Sequence, residues 1–156
     1  MKPTNLLSKL SMPIFLKKIN YKEIIIELIA AIFIVLWFYT GITKIMDFDE
    51  TKVQMSRSPF IHDFSTFLAY TVPPFEVLVG ILFIFKKTKH LAFLISFILM
   101  FAFTGYIYLM LTYAYDLPCS CGGIINKLNW EQHLYLNAVL TVLATLGYFL
   151  TAKRKS

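Results

Sequence analysis

The sequence predicts an all-α protein of the polytopic membrane class, built as a four-transmembrane-helix bundle. Hydrophobic residues make up 58% of the 156-residue chain and charged residues only 15%, whereas soluble domains carry about 25% charged residues. A chain of this length cannot bury such an excess, because small proteins leave much of their surface exposed. The chain also contains four separate apolar stretches, each long enough to cross a bilayer. Together these observations exclude a soluble globular domain.

The four apolar stretches define the predicted spans in chain order. They cover about residues 24–42, 66–85, 91–113 and 134–150. A helix needs about 20 mostly apolar residues to cross the hydrocarbon core of a bilayer. Several stretches are rich in β-branched and aromatic residues, but a membrane barrel would show shorter segments of alternating polarity. The stretches therefore predict helices and not strands.

The first stretch follows several lysines, so it could also be a signal peptide. Its apolar core is longer than the usual length of about 7–15 residues, and no small-x-small cleavage site follows it. We therefore expect it to remain attached as the first span. The resulting division of the chain is a basic interfacial segment at 1–22, the membrane domain at 23–152, and a basic tail at 153–156.

The basic residues are distributed unevenly between the connections. Eleven of the 15 fall on one side of the predicted bundle: Lys2, Lys9, Lys17, Lys18, Lys22, Lys86, Lys87, Lys89, Lys153, Arg154 and Lys155. By the positive-inside rule this side is cytoplasmic, so both termini are expected inside and the other two loops in the periplasm of a bacterial cell. The net charge of +6 is thereby explained by inner-membrane topology and lipid contact, and we expect no nucleic-acid partner.

Both cysteines lie in one predicted outer loop, in the segment DLPCSCGGIINKLNWEQH. Cys119 and Cys121 are separated by one residue, so their Cα atoms are at most about 7.6 Å apart. Modest bending brings them within disulfide range. Such a small ring constrains little chain entropy and is strained, so it is a poor structural bridge and is more easily reduced. Because the periplasm is oxidising, the pair is a candidate redox-active dithiol.

Three other interpretations of the cysteine pair stay open from the residues alone. The thiols could be ordinary small apolar side chains, or they could be lipidated or cross-linked to a partner. They could also bind a metal with His133. However, two thiolates and one distant histidine fall short of the usual four zinc ligands, so we expect no metal site.

An ionisable residue, Glu76, lies near the middle of the second span. Charged groups at such positions are costly and generally functional or paired. Pro73 and Pro74 precede it, and we expect them to kink or restart the helix there. Lys44, at the outer end of the first span, is the natural partner, since a lysine can extend several ångströms. With His133, these two residues are candidates for proton handling, and a structural ion pair is the alternative.

Two polar stripes lead along the third and fourth spans toward the cysteine loop. Thr104, Tyr108, Thr112 and Tyr115 form one, and His133, Asn137, Thr141 and Thr145 form the other. These spacings place each set on about one helix face. The stripes could be hydrogen-bonding contacts between helices, or they could line a polar chamber that holds a quinone-like headgroup. Tyr108, Thr112, Trp130 and Asn137 are the candidate residues for that chamber.

Several of these motifs occur together in one known family. TGITKI ends the first span, VPPFEVLVGILFIF forms most of the second, and PCSCGGII is followed by W-x-x-H-x-x-x-N entering the fourth. Over about residues 21–148 this pattern resembles the MauE family of methylamine-utilisation proteins, grouped with the DoxX-like four-helix membrane proteins. The main residues of the resemblance are Gly41, Lys44, Pro74, Glu76, Cys119 and Cys121. The usual family motif is similar to C-x-C-F-G, and here Gly122 replaces the aromatic residue.

The resemblance implies a role in protein maturation. MauE-like proteins are associated with biogenesis of the disulfide-rich small subunit of periplasmic methylamine dehydrogenase, together with a thioredoxin-like partner. The leading hypothesis is thus a membrane thiol–disulfide redox protein that exchanges electrons through Cys119 and Cys121. A non-catalytic assembly subunit of a membrane complex and a small transporter are the alternatives.

Overall fold

The structure is a computed structural model that describes residues 20–113 and 129–152. Its elements are α1 (Tyr21–Met46), α2 (Phe48–Ser56), a short 3-10 helix (His62–Phe64), α3 (Ser65–Ile84), α4 (Lys89–Tyr113) and α5 (Trp130–Ala152). Within the described ranges, α1, α3 with its preceding 3-10 turn, α4 and α5 are long and apolar enough to cross a membrane. This confirms the predicted all-α four-helix membrane architecture.

Both ends of α1 and of α5 extend beyond the predicted apolar stretches because polar residues complete the terminal turns. At the start of α1, the Asn20 side chain accepts a hydrogen bond from the backbone N–H of Lys22 at 3.3 Å, as expected of an N-cap residue. At the start of α5, Glu131 lies in the first turn, where the helix dipole favours a carboxylate. Hydropathy alone predicted that the fourth span begins at 134, four residues too late, because it does not register such polar turns.

The proline pair does not restart α3, so the first of the two outcomes expected from the sequence, a kink, is the one that stays a prediction. The helix runs without interruption from Ser65 to Ile84, with Pro73 and Pro74 inside it. Prolines are tolerated in membrane helices because neighbouring groups compensate for the lost backbone hydrogen bonds. Glu76 is therefore not in a first helical turn, and the dipole at a helix N-terminus does not stabilise it.

The bundle is organised as two helix pairs. α1 packs mainly against α3, and α4 packs mainly against α5. Aromatic rings join the pairs: Phe83 lies parallel to Phe33 with ring centroids 5.6 Å apart, and Phe93 meets Phe83 edge-on at 4.9 Å. All three rings are fully buried. This cluster therefore forms the core at the end of the bundle near the α3–α4 connection.

Two polar contacts also join the pairs. The indole N–H of Trp37 donates a 2.8 Å hydrogen bond to the Ser96 hydroxyl in the buried interior. At the end where α4 begins, Lys89 Nζ donates to both carboxylate oxygens of Glu27 at 2.7 Å. Glu27 lies in the first predicted span, yet this ion pair was not anticipated from the sequence. Both contacts connect α1 with α4.

The opposite end of the bundle holds α2, which was not anticipated from the sequence. This nine-residue helix packs against α3 and buries Thr51 and Gln54. The chain leaves α4 at Tyr113 and enters α5 at Trp130 on the same side. Cys119 and Cys121, in the connection between these two helices, lie outside the described residues.

Candidate functional site

The central feature of the site is an ion pair between α1 and α3. Lys44 Nζ donates to Glu76 Oε1 at 2.6 Å, as the sequence predicts for these two residues. The Glu76 side chain is only 1% exposed and that of Lys44 is 23% exposed. Lys44 Nζ also lies 5.6 Å from the centre of the Phe103 ring on α4, within cation–π range. The carboxylate is therefore buried beside a cation that faces a cavity.

The close approach of α1 to α3 depends on Gly41. A Cβ atom at this position would lie 2.9 Å from the backbone oxygen of Pro73 and 2.7 Å from a methyl group of Val77. Small residues permit such contact between membrane helices. Lys44 follows three residues later, in the last turn of α1, where the helix dipole favours a cation. The local sequence thus positions the lysine to reach the carboxyl group.

Two buried polar atoms at the site have no hydrogen-bond partner among residues 20–113 and 129–152: Glu76 Oε2 and His133 Nδ1. Thr40 lies beside the Glu76 carboxyl group, but its hydroxyl donates to the backbone oxygen of Leu36 at 2.9 Å. Buried polar groups are normally paired, and those left unpaired in native proteins often mark functional sites. These two atoms are therefore available to a ligand or to water.

A cavity of about 100 Å³ adjoins these groups and is lined by all five α-helices. Most of its lining residues carry polar side chains, although much of the exposed lining is apolar, and it is called the polar cavity below. α2 contributes Glu50, Thr51 and Gln54. The Gln54 amide donates to Glu50 Oε1 at 3.2 Å. On α5, the buried Asn137 amide donates to the backbone oxygen of His133 at 2.9 Å. The cavity is thus enclosed by side chains whose hydrogen bonds hold them in place around the Lys44–Glu76 pair.

A second, mostly apolar cavity of about 330 Å³ adjoins the first. The two share the residues Lys44, Gln54, Phe103, His133 and Asn137. The remaining lining residues of the second cavity are Met55, Ile61, Leu68, Val72, Ala102, Tyr106, Ile107 and Trp130. The two cavities together form a chamber that is polar at one end and apolar at the other.

The structure brings five of the predicted site residues to this chamber. Lys44, Glu76, His133, Trp130 and Asn137 line one or both cavities. Cys119 and Cys121 lie outside the described residues. The catalytic and binding roles proposed for the cysteines and for these five residues remain predictions.

Tyr108 and Thr112 do not line the chamber. Tyr108 is 58% exposed, and the Thr112 hydroxyl donates to the Tyr108 backbone oxygen at 2.8 Å. The reason is helical geometry, because each step of four residues turns the side chain by about 40°. Thr104 faces Thr141 of α5 with their hydroxyl oxygens 3.3 Å apart, and Tyr108 and Thr112 rotate away from that contact. Tyr115, the last residue of the predicted stripe, lies outside the described residues.

The α2 residues of the site were missed at the sequence level. The segment 47–56 is short and largely polar, so hydropathy does not reveal a helix there. The spacing of Glu50 and Gln54 is the signal that could have revealed them, since an i, i+4 pair is a helical neighbour contact. Their hydrogen bond in the structure shows that the spacing was informative.

A comparison with protein-family models identifies the family of the chain. The model described as methylamine utilisation protein MauE matches residues 22–150, which includes every described residue that lines the chamber. The chain belongs to the MauE family. No curated protein and no solved structure gives a significant match. MauE family membership and the four apolar helices indicate a multi-pass membrane protein related to methylamine utilisation.

Proposed function

We propose that this MauE-family protein is a membrane-anchored thiol–disulfide exchange protein of the bacterial inner membrane. Cys119 and Cys121 form its redox-active pair on the periplasmic side. Its partner is a periplasmic thioredoxin-like protein, and its clients are exported proteins that need disulfides, such as the methylamine dehydrogenase small subunit. The family match supports the relation to methylamine utilisation, and the C-x-C spacing supports the exchange chemistry.

The observation that carries this proposal is that α4 and α5, the two helices that flank the cysteine loop in the sequence, both line the chamber. The loop joins the end of α4 to the start of α5, and the first turn of α5 supplies Trp130 and His133 to the chamber wall. Cys121 is therefore only nine residues from a chamber residue along the chain. This arrangement supports a loop dithiol that works beside a buried polar site.

The exchange step conserves electrons and protons between two thiol pairs. A thiolate of the reduced partner attacks one sulfur of the Cys119–Cys121 disulfide, which forms a mixed disulfide and releases the other sulfur as a thiolate. The second partner thiol then resolves the mixed disulfide. The partner loses two electrons and two protons, and the C-x-C pair gains them. In this proposal, Lys44, Glu76 and His133 handle the protons that the pair takes up and releases.

The proposed orientation predicts which exposed positions can be labelled from the periplasm. In a variant with serine at both native cysteines, Arg57→Cys places a thiol on the α2 side, and Lys87→Cys places one in the α3–α4 connection. We expect a membrane-impermeant maleimide to label Arg57→Cys in intact spheroplasts. Lys87→Cys should be labelled only after lysis, because lysine-rich loops remain cytoplasmic. Labelling of Lys87→Cys alone in intact spheroplasts would refute the orientation and place the cysteine loop in a reducing compartment.

The exchange mechanism itself is tested by trapping. Cys119→Ser and Cys121→Ser are expressed separately together with a periplasmic thioredoxin-fold protein from the same host. One of the two variants is expected to accumulate a mixed disulfide, because its remaining thiolate attacks the disulfide of the oxidised partner and the C-x-C pair has no second thiol to resolve the bond. The measurement is a reductant-sensitive band shift on a non-reducing gel, identified by mass spectrometry.

The matched control is the variant with serine at both positions, which should form no mixed disulfide. If both native thiols remain permanently reduced in cells, the redox proposal fails. If the double-serine variant supports maturation as well as the wild type, the protein is an assembly subunit and not an exchange protein.

A further inference from the structure

The two adjoining cavities match a ligand that is polar at one end and apolar along the rest. The polar end contains Lys44, Glu76 and His133, and the apolar part is about three times larger. The larger cavity, at about 330 Å³, lies within the usual size range of small-molecule sites, about 300–1,000 Å³. Phe103, Tyr106 and Trp130 contribute aromatic surfaces to it. The chamber is therefore suited to a flat ring that carries an apolar substituent.

The polar end of the chamber contains both hydrogen-bond donors and hydrogen-bond acceptors. Lys44 Nζ has three N–H donors, and it uses one for Glu76 Oε1. Glu76 Oε2 and His133 Nδ1 have no hydrogen-bond partner in the described parts of the chain. A lipid chain leaves both atoms unpaired, which costs free energy in a dry environment. A ring with carbonyl or hydroxyl groups can instead accept from Lys44 and donate to Glu76.

The apolar cavity reaches the side of the bundle between α3 and α4. Leu68 and Val72 border it from α3, and Ala102 and Ile107 border it from α4. Ala102 is exposed, and Val72 is partly exposed. Both helices are membrane-spanning by length and composition, so this border faces lipid. A ligand can therefore enter from the bilayer, which favours a lipid-soluble compound over a water-soluble metabolite.

We infer that this chamber binds the head ring of an isoprenoid quinone that enters from the bilayer between α3 and α4. The ring carbonyl oxygens accept hydrogen bonds at the polar end, and the isoprenoid tail leaves past Ala102 and Val72. Glu76 Oε2 accepts a hydrogen bond from the quinol hydroxyl, so the same side chains serve both redox states of the ring.

This inference rests on the proposed thiol–disulfide exchange and supplies its electron acceptor. The reduced pair loses two electrons and two protons as the bond between Cys119 and Cys121 forms. The quinone takes up these two electrons and two protons at its two ring oxygens and becomes a quinol. Each cycle thus converts one partner dithiol to a disulfide and one quinone to a quinol.

The two tryptophans provide a direct binding measurement that needs no turnover assay. Trp37 lines the polar cavity and Trp130 lines the apolar cavity, and the chain has no further tryptophans. Titration of the purified full-length protein with the short-chain analogue decylubiquinone should therefore quench tryptophan fluorescence in a saturable way. We expect His133→Phe to weaken binding about fivefold, the effect of one lost hydrogen bond.

A matched pair of variants tests the location of the site. Ala102→Phe fills the border between α3 and α4, and it should weaken decylubiquinone binding at least about tenfold by steric overlap. Ala138 is likewise exposed, on α5, and it does not line either cavity. Ala138→Phe should bind decylubiquinone as the wild type does. Equal saturable binding by both variants, or quenching that never saturates in the wild type, would overturn the inference.

Two further outcomes separate this inference from the proposed function. The Cys119→Ser/Cys121→Ser variant should retain saturable quenching, because the cysteines are needed for exchange and not for ring binding. Trapped mixed disulfides without any decylubiquinone binding would leave the exchange function in place and overturn the quinone site. Displacement of decylubiquinone by decanoic acid at equal concentration would identify the chamber as an acyl-chain groove and would also overturn it.

Discussion

Replacing Lys44 with methionine is expected to lower the free energy of unfolding by about 3–5 kcal/mol, because it leaves a buried carboxylate without its cation. The Glu76 side chain is 1% exposed, and Lys44 Nζ is 2.6 Å from its Oε1. Methionine keeps much of the lysine's apolar volume, so the loss reports the charge and not a cavity. The measurement is denaturant-induced or thermal unfolding of the purified protein in a mild detergent.

Replacing the other member of the pair, Glu76→Gln, is expected to lower the free energy of unfolding by less, about 1–3 kcal/mol. The Lys44 side chain is 23% exposed and lies in the last turn of α1, so it can extend toward water when its partner is gone. The double variant Lys44→Met/Glu76→Gln should be more stable than Lys44→Met alone. If the two single losses simply add in the double variant, the residues are not coupled and the pair does not stabilise the bundle.

Gly41→Ala is expected to destabilise the protein by about 1–3 kcal/mol through overpacking between α1 and α3. The added Cβ would lie 2.9 Å from the Pro73 backbone oxygen, and a helix backbone cannot shift as easily as a side chain. The two helices must therefore move apart at the position where Lys44 reaches Glu76. Unfolding measurements should show the loss of stability, and tryptophan fluorescence should report the rearrangement around Trp37.

Gly105→Ala is the matched control on α4. A Cβ at this position meets no atom within 4 Å, and alanine is a better helix former than glycine by about 1 kcal/mol. We expect this variant to be as stable as the wild type or slightly more stable. A Gly41→Ala protein with wild-type stability would show that α1 and α3 are not held at the distance that the structure gives.

The four-helix architecture could be predicted because it depends on a strong and local signal. Each span is a continuous apolar stretch, and the cost of placing polar backbone in lipid dictates helices. The pairing of Lys44 with Glu76 was predictable for a related reason, since an ionisable group inside a span needs a partner and this lysine lies near it. Both inferences follow because the hydrocarbon core of the bilayer excludes unpaired polar and charged groups.

The remainder of the site depends on information that hydropathy does not contain. α2 is short and polar, so it resembles a loop in any average over a span-length window. The stripe from Thr104 to Tyr115 was predicted to share one face, but the rotation of successive side chains carries Tyr108 and Thr112 out of the contact with α5. The Glu27–Lys89 pair joins residues 62 positions apart, a separation that only the folded bundle bridges, through side-chain contacts between α1 and α4.

The contacts between the two helix pairs have a mechanical consequence. The Phe33, Phe83 and Phe93 rings and the Glu27–Lys89 ion pair all lie toward the end where α4 begins. Toward the other end, the space between α3 and α4 is occupied by the apolar cavity. Among the described residues, separation of the two helix pairs therefore costs least at the end where the chain leaves α4, and the cavity can widen there while the aromatic core stays packed. The described bundle is thus tightly packed at the end where α4 begins and deforms more easily at the end that holds the apolar cavity. A large molecule that enters from the lipid would deform the second end.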